Sequence, residues 1–90
     1  MKTLCRFEFD KTLTKKEIEE NMALAIITAE CVFGKPKVRL NAAYLASKSK
    51  AVIDVSSDVG EHIAQVFTGL ISRQVGEENF TVERIRNKNE

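Results

Sequence analysis

Residues 37–56, KVRLNAAYLASKSKAVIDVS, decide how the chain is read. From Lys37 to Ala46 the side chains alternate. Val38, Leu40, Ala42 and Tyr44 fall on one side, and Arg39, Asn41, Ala43 and Leu45 on the other. From Lys50 to Ser56, Ala51, Ile53 and Val55 alternate with Val52, Asp54 and Ser56. Period two is the mark of a half-buried strand, so the stretch reads as a β-hairpin. Its connection, Ser47-Lys48-Ser49, lacks the Asn-Gly or glycine that fixes a tight primed turn, and a longer loop is expected.

One strand and one helix precede this hairpin. In Thr3–Phe9, Cys5, Phe7 and Phe9 face one way and Leu4, Arg6 and Glu8 the other. Asp10–Leu13 is a polar connection. Thr14-Lys15-Lys16-Glu17 fits a capping box, and the helix it opens runs to about Phe33. Ile18, Met22, Ala25, Ile26, Ala29 and Phe33 recur at helical spacing. Leu24, Ile27 and Cys31 widen that apolar face beyond what one neighbour would cover. Gly34 is placed to end the helix, and Pro36 to prevent its continuation.

One helix and one strand follow the hairpin. Ser57 or Asp58 caps a helix whose inner stripe is Val59, Ile63, Val66, Phe67 and Leu70. Gly69 inside it costs about 1 kcal/mol against alanine and is expected to mark close packing. Gly76 ends the helix. Asn79–Arg86 is the last strand, and residues 87–90 form a polar tail expected to fray.

The order β-α-β-β-α-β closes most simply as an α+β two-layer sandwich of the ferredoxin-like, split βαβ kind. Four antiparallel strands then carry two helices on one face. Ninety residues make one domain, 1–90. Apolar residues at 43% and charged residues at 30% describe a globular chain. A net charge of +1 gives no bulk field to draw nucleic acid or a membrane surface. No apolar run approaches the roughly 20 residues a bilayer requires, so no membrane partner is expected.

The face of the sheet away from the helices would carry Leu4, Arg6, Glu8, Arg39, Asn41, Ala43, Leu45, Val52, Asp54, Glu83 and Ile85. It holds too many aliphatic residues for a wetted surface, and charges of both signs. Pairs such as Arg6 or Arg39 with Asp54 or Glu8 are expected there. A second subunit, or another protein, would fit such a face.

Chemistry-bearing residues are sparse. His62 is the one histidine, in the first turn of the second helix, and reads as a solvated helix-end residue. Cys5 and Cys31 form no CxxC and no metal-ligand spacing with it. Both read as buried, inert thiols in a reducing cytoplasm. Glu8, Asp10 and Asp54 match no acid–base or metal motif, so no catalytic residue, cofactor or metal is expected. Lys11, Lys15, Lys16, Lys48 and Lys50 gather where the first helix begins and the hairpin turns. That end is a candidate anion or nucleic-acid backbone site.

The marks of several families of this architecture are absent. The first and third strands carry no exposed aromatics of the kind RNA-recognition motifs stack on bases. The first loop has no CxxC of a metal-transfer domain and no glycine-rich, arginine-bearing loop of an acylphosphatase. It also lacks the glycine of amino-acid-sensing domains. The reading that remains is a cytoplasmic, non-catalytic interaction module that self-associates. Its contacts would come from Leu4, Leu45, Val52 and Ile85, or from Leu24 and Ile27. The alternatives are an anion binder at the lysine end, or an enzyme whose site forms at a subunit interface from His62, Asp54 or Asn41.

Overall fold

The first strand, β1 (Lys2–Phe9), keeps its alternation in the computed structural model, which describes residues 2–10 and 13–87. Cys5, Phe7 and Phe9 are buried, while Leu4, Arg6 and Glu8 are not. The helix α1 (Lys15–Phe33) opens on the expected capping box. The Glu17 amide donates to Thr14 Oγ1 at 3.1 Å, and the Thr14 amide donates to Glu17 Oε1 at 2.9 Å. It closes at Gly34, whose φ of 88° suits a residue without a Cβ.

The largest departure follows. The ten-residue strand expected over Lys37–Ala46 is instead a helix, α2 (Lys35–Asn41), and a short strand, β2 (Tyr44–Ser47). Pro36 does not stop a helix; it starts one, standing in the first turn where its missing N–H leaves nothing unpaired. Over five residues, VRLNA satisfies period two and also the i, i+4 spacing of Val38 and Ala42. Proline at the start decides between them. Val38 is buried beneath α2, whereas Leu40 is 86% exposed. Arg39 and Asn41 lie on α2 and are no part of the sheet face. Asn41 Nδ2 donates back to the Lys37 carbonyl at 2.8 Å.

β2 turns into β3 (Lys50–Asp54) through two residues, not the longer loop expected, because Ser47 already pairs with Lys50. Ser49 accepts φ 66° to make this turn without a glycine. Ser57, not Asp58, caps α3 (Asp58–Val75), accepting from the Gly60 amide at 3.1 Å. Gly60 is the close-packed glycine of this helix. A Cβ there would stand 1.9 Å from the Asp54 carbonyl oxygen. Gly69 was expected to mark close packing, yet nothing lies within 4 Å of where its Cβ would be. After Gly76 a single 3-10 turn (Glu77–Asn79) leads into β4 (Phe80–Asn87). Lys11 and residues 88–90 of the expected tail lie outside the described residues.

Among the described residues the architecture is α+β, with one four-stranded antiparallel sheet in the order β2-β3-β1-β4 and three helices where two were expected. Its core lies between the sheet and the helices. Phe7, Phe9 and Phe67 interlock there, with Phe7 and Phe67 edge to face at 4.9 Å. Ile18, Met22, Ala25 and Ala29 of α1 and Val59, Ile63 and Ile71 of α3 complete it. Asn21 of α1 is polar and buried. It is satisfied by a reciprocal amide pair: Asn21 Nδ2 donates to Gln74 Oε1 at 3.1 Å and Gln74 Nε2 to Asn21 Oδ1 at 2.6 Å. The pair ties α1 to α3.

Candidate functional site

Strand pairing lays out the open face row by row. One row reads Leu45, Val52, Arg6, Glu83, and the next reads Asp54, Leu4, Ile85. Leu45 and Val52 of the first row and Leu4 and Ile85 of the second form an oblique aliphatic stripe that crosses all four strands. Leu45 is 75% exposed, and the other three are half-buried among their neighbours. Shallow depressions of about 290 and 310 Å³ flank Leu45 and Val52 on either side.

The charges of this face are largely internal to it. Arg6 pairs with Glu83 directly across the strands and approaches Glu8 at 3.8 Å. Lys50 stands opposite Glu8. Asp54 gains no arginine partner. Burial pulls its carboxyl upward, but the amide and hydroxyl of Ser56, with Lys2 nearby, hold it below the usual range. Arg39, which was expected to join these pairs, is absent from the face because it sits on α2.

A second apolar surface lies on the outer side of α1. Leu24 is 50% and Ile27 54% exposed, and Cys31 follows at the next helical repeat. Cys31 is therefore exposed, not buried as expected. Helical spacing places it with Leu24 and Ile27, one face away from the buried Ala25 and Ala29. Cys5 is buried, and desolvation raises its thiol pKa, with Arg84 partly opposing and Glu61 adding to the rise.

At the lysine end, Leu13, Thr14, Lys15, Lys48 and Ser49 line one recess of about 680 Å³. Lys15 and Lys48 thus line the same recess. Lys16 does not line the recess, and Lys50 lies on the open sheet face opposite Glu8. The amides of the α1 N-terminus are not fully free, since Glu17 and Thr14 close on each other in the capping box. The Glu17 carboxylate also brings a negative charge to that N-terminus, where it accepts from the Thr14 amide and hydroxyl.

The residues considered for acid–base work do not converge. His62 is not solvated as expected. It packs edge-on against Phe33 at 5.6 Å, with Nε2 buried and without a hydrogen-bond partner. Lys37 lies over the other part of this cluster, 4.9 Å from the Phe33 ring centroid, and pairs with Asp58 at 2.9 Å. That bond holds the Asp58 carboxyl below the usual range. Asp54 turns to Ser56, and Asn41 to its own helix. Glu8 and Asp54 stand opposite Lys50 and Leu4, four residues apart along β1. Among the described residues no group of three or more His, Cys, Asp or Glu side chains could hold a metal ion. No helix among them is long and apolar enough to cross a membrane.

One feature escaped the sequence reading. Between α3 and β4 runs a groove of about 300 Å³, lined by Cys5, Ala64, Gln65, Thr68 and Val82. Arg84 and Glu61 close one end of it through a bidentate pair at 3.0 and 3.1 Å. The exposed polar positions of α3 and the alternation of β4 were both readable, but not that they would face each other across an open edge. Scans against protein-family models, curated proteins and solved structures return no match.

Proposed function

We propose that this chain is a non-catalytic interaction module that self-associates through the open face of its sheet. The observation that carries this reading is the aliphatic stripe Leu45, Val52, Leu4 and Ile85, which crosses every strand on the face opposite the packed core. Arg6 is paired within the face with Glu83 and lies near Glu8, so a second layer could cover these charges without stranding them. We read the fold as ferredoxin-like with a short helix inserted before the second strand. The order β2-β3-β1-β4, with each βαβ unit bridged by a helix, supports that reading. Such a layout leaves one sheet face for a partner, and a twofold contact between like faces is the commonest solution for small soluble chains.

Sedimentation velocity on the wild type and on Leu45→Asp tests the proposal. Leu45 is exposed enough that the charge leaves the fold intact. The expected result is an assembled wild type and a variant reduced to a smaller species, with unchanged circular dichroism. Leu24→Asp serves as the comparison on α1. A wild type that sediments as a monomer at tens of micromolar (about 10 μM and above, in the range of ordinary dimers) overturns the reading. An assembly that survives Leu45→Asp but not Leu24→Asp moves the contact to α1. The lysine recess remains the second reading, favoured by Lys15 and Lys48 lining one recess. It requires phosphate or single-stranded nucleic acid to bind with steep salt dependence.

A further inference from the structure

The two edges of the sheet are unequal. Hydrogen bonds alternate along a strand, so the direction of one fixes the rest. The Asp10 amide donates to the Asn79 carbonyl, in register with the pairing of β1 and β4. Thr81, Glu83 and Ile85 therefore turn their amides and carbonyls inward to β1. Phe80, Val82, Arg84 and Arg86 turn theirs outward. On the other edge, the Asp54 amide donates to the Ala43 carbonyl, which leaves only Tyr44 and Ala46 of β2 facing out. One edge is short, in the manner that blunts pairing, and the other offers four residues in a row.

We infer that the β4 edge pairs with β4 of a second copy, antiparallel and centred on Glu83, to give a continuous eight-stranded sheet. A twofold axis perpendicular to the sheet demands that some residue face itself, and the side chains choose which. Centring on Arg84 would set two arginines against each other. Centring on Val82 would leave Arg86 opposite residue 78, outside the strand. Centring on Glu83 pairs all four outward residues: Phe80 with Arg86 of the second copy, and Val82 with Arg84. On the open face Thr81 then meets Ile85. The two Glu83 carboxylates meet, but each is bonded to its own Arg6, so the row reads plus, minus, minus, plus. Arginine stems would cover Phe80 and Val82, the latter 44% exposed although it points to the helix side. The groove beside the edge leaves room for them beneath Gln65 and Thr68. This contact is separate from the stacking of open faces and does not rest on it.

The test is a cysteine cross-link in full-length protein carrying Cys31→Ser. In the inferred register Glu83 faces itself in a non-hydrogen-bonded pair with Cα atoms about 4.5 Å apart, within disulfide range. Glu83→Cys is expected to form a linked dimer under mild oxidation at least tenfold faster than Thr81→Cys, which would face Ile85. The link should persist with Leu45→Asp added, which separates this edge from the sheet face. Adding Val82→Pro, which removes an outward N–H, should slow it at least tenfold. Equal rates for Glu83→Cys and Thr81→Cys, or no linked dimer, overturn the inference. Hydrogen exchange on the unmodified chain gives an independent reading. The amides of Val82, Arg84 and Arg86 should be protected like those of Glu83 and Ile85 at high concentration and lose protection on dilution. Fast exchange at all concentrations overturns it as well.

Discussion

Two glycines of α3 undergo the same change, to alanine, with opposite expected results. At Gly60 the new Cβ would lie 1.9 Å from the Asp54 carbonyl oxygen, 3.0 Å from its carbon and 3.1 Å from Val55 Cα. A carbon and a carbonyl oxygen tolerate about 3.3 Å at closest, so roughly 1.4 Å must be found by moving backbone. That backbone is held on both sides. The Asp54 amide bonds to Ala43 and the Val55 amide to Thr3, each at 2.9 Å. Overpacking of this kind costs about 1–3 kcal/mol, and losing one of those ladder bonds adds about 1 kcal/mol. The helix-propensity gain of up to about 1 kcal/mol offsets only part. Gly60→Ala should therefore lose about 1–3 kcal/mol, and Tm should fall by roughly 4–24 °C for a domain of this size. Gly69 has open space around it, so Gly69→Ala should gain about 0.5–1 kcal/mol and a few degrees. Urea unfolding followed by circular dichroism, with unchanged m-values, measures both. A Gly60→Ala protein within 0.5 kcal/mol (about the scatter of neutral surface changes) of wild type would refute the argument. So would a Gly69→Ala protein that is destabilised.

Three other outcomes follow from the same structure. Asn21→Ala leaves Gln74 without its partner and opens the α1–α3 tie, so it should cost about 1–3 kcal/mol by urea unfolding. Asp54 and Asp58 both have lowered folded-state pKa values. Their stabilisation is present above the unfolded carboxylate range and is lost as pH falls through the folded values. Thermal melts should hold steady from pH 7 to 5 and decline below about pH 4, and Lys37→Met should reduce that decline. Cys31 should react with a thiol reagent in the native protein at least tenfold faster than Cys5, whose thiol is buried, and mass spectrometry of the singly labelled chain assigns the site.

Most of the sheet was legible because β1, β3 and β4 announce themselves by alternation, and α1 by its capping box. The failure at residues 35–41 came from a run too short for periodicity to separate strand from helix, with a proline that can end one helix or begin another. That one misreading put Arg39 and Asn41 on the open face of the sheet and Leu40 on its core face, positions that α2 denies them. Cys31 and Gly69 failed for a different reason. Helical spacing says which residues share a face, but not which neighbour that face will meet. The stripe Leu4, Leu45, Val52 and Ile85 was legible because alternate residues of paired strands share a face. The α3–β4 groove was not, since it depends on which strand ends the sheet.

The position of β1 between β3 and β4 also governs how the chain reaches its native state. β1 comes first in sequence, yet it pairs with no strand near it. Leu4 waits for Asp54 on one side and for Ile85 on the other. The β2–β3 hairpin and the helices can form from local contacts, whereas the strand carrying Phe7 and Phe9 must close two long loops. Such non-local pairing slows folding relative to a helical bundle of this size. During synthesis from the N-terminus, Phe7 and Phe9 would wait for β3 on one side and for β4 on the other. Substitutions in β4 should therefore change the folding rate more than equally destabilising ones in the β2–β3 turn.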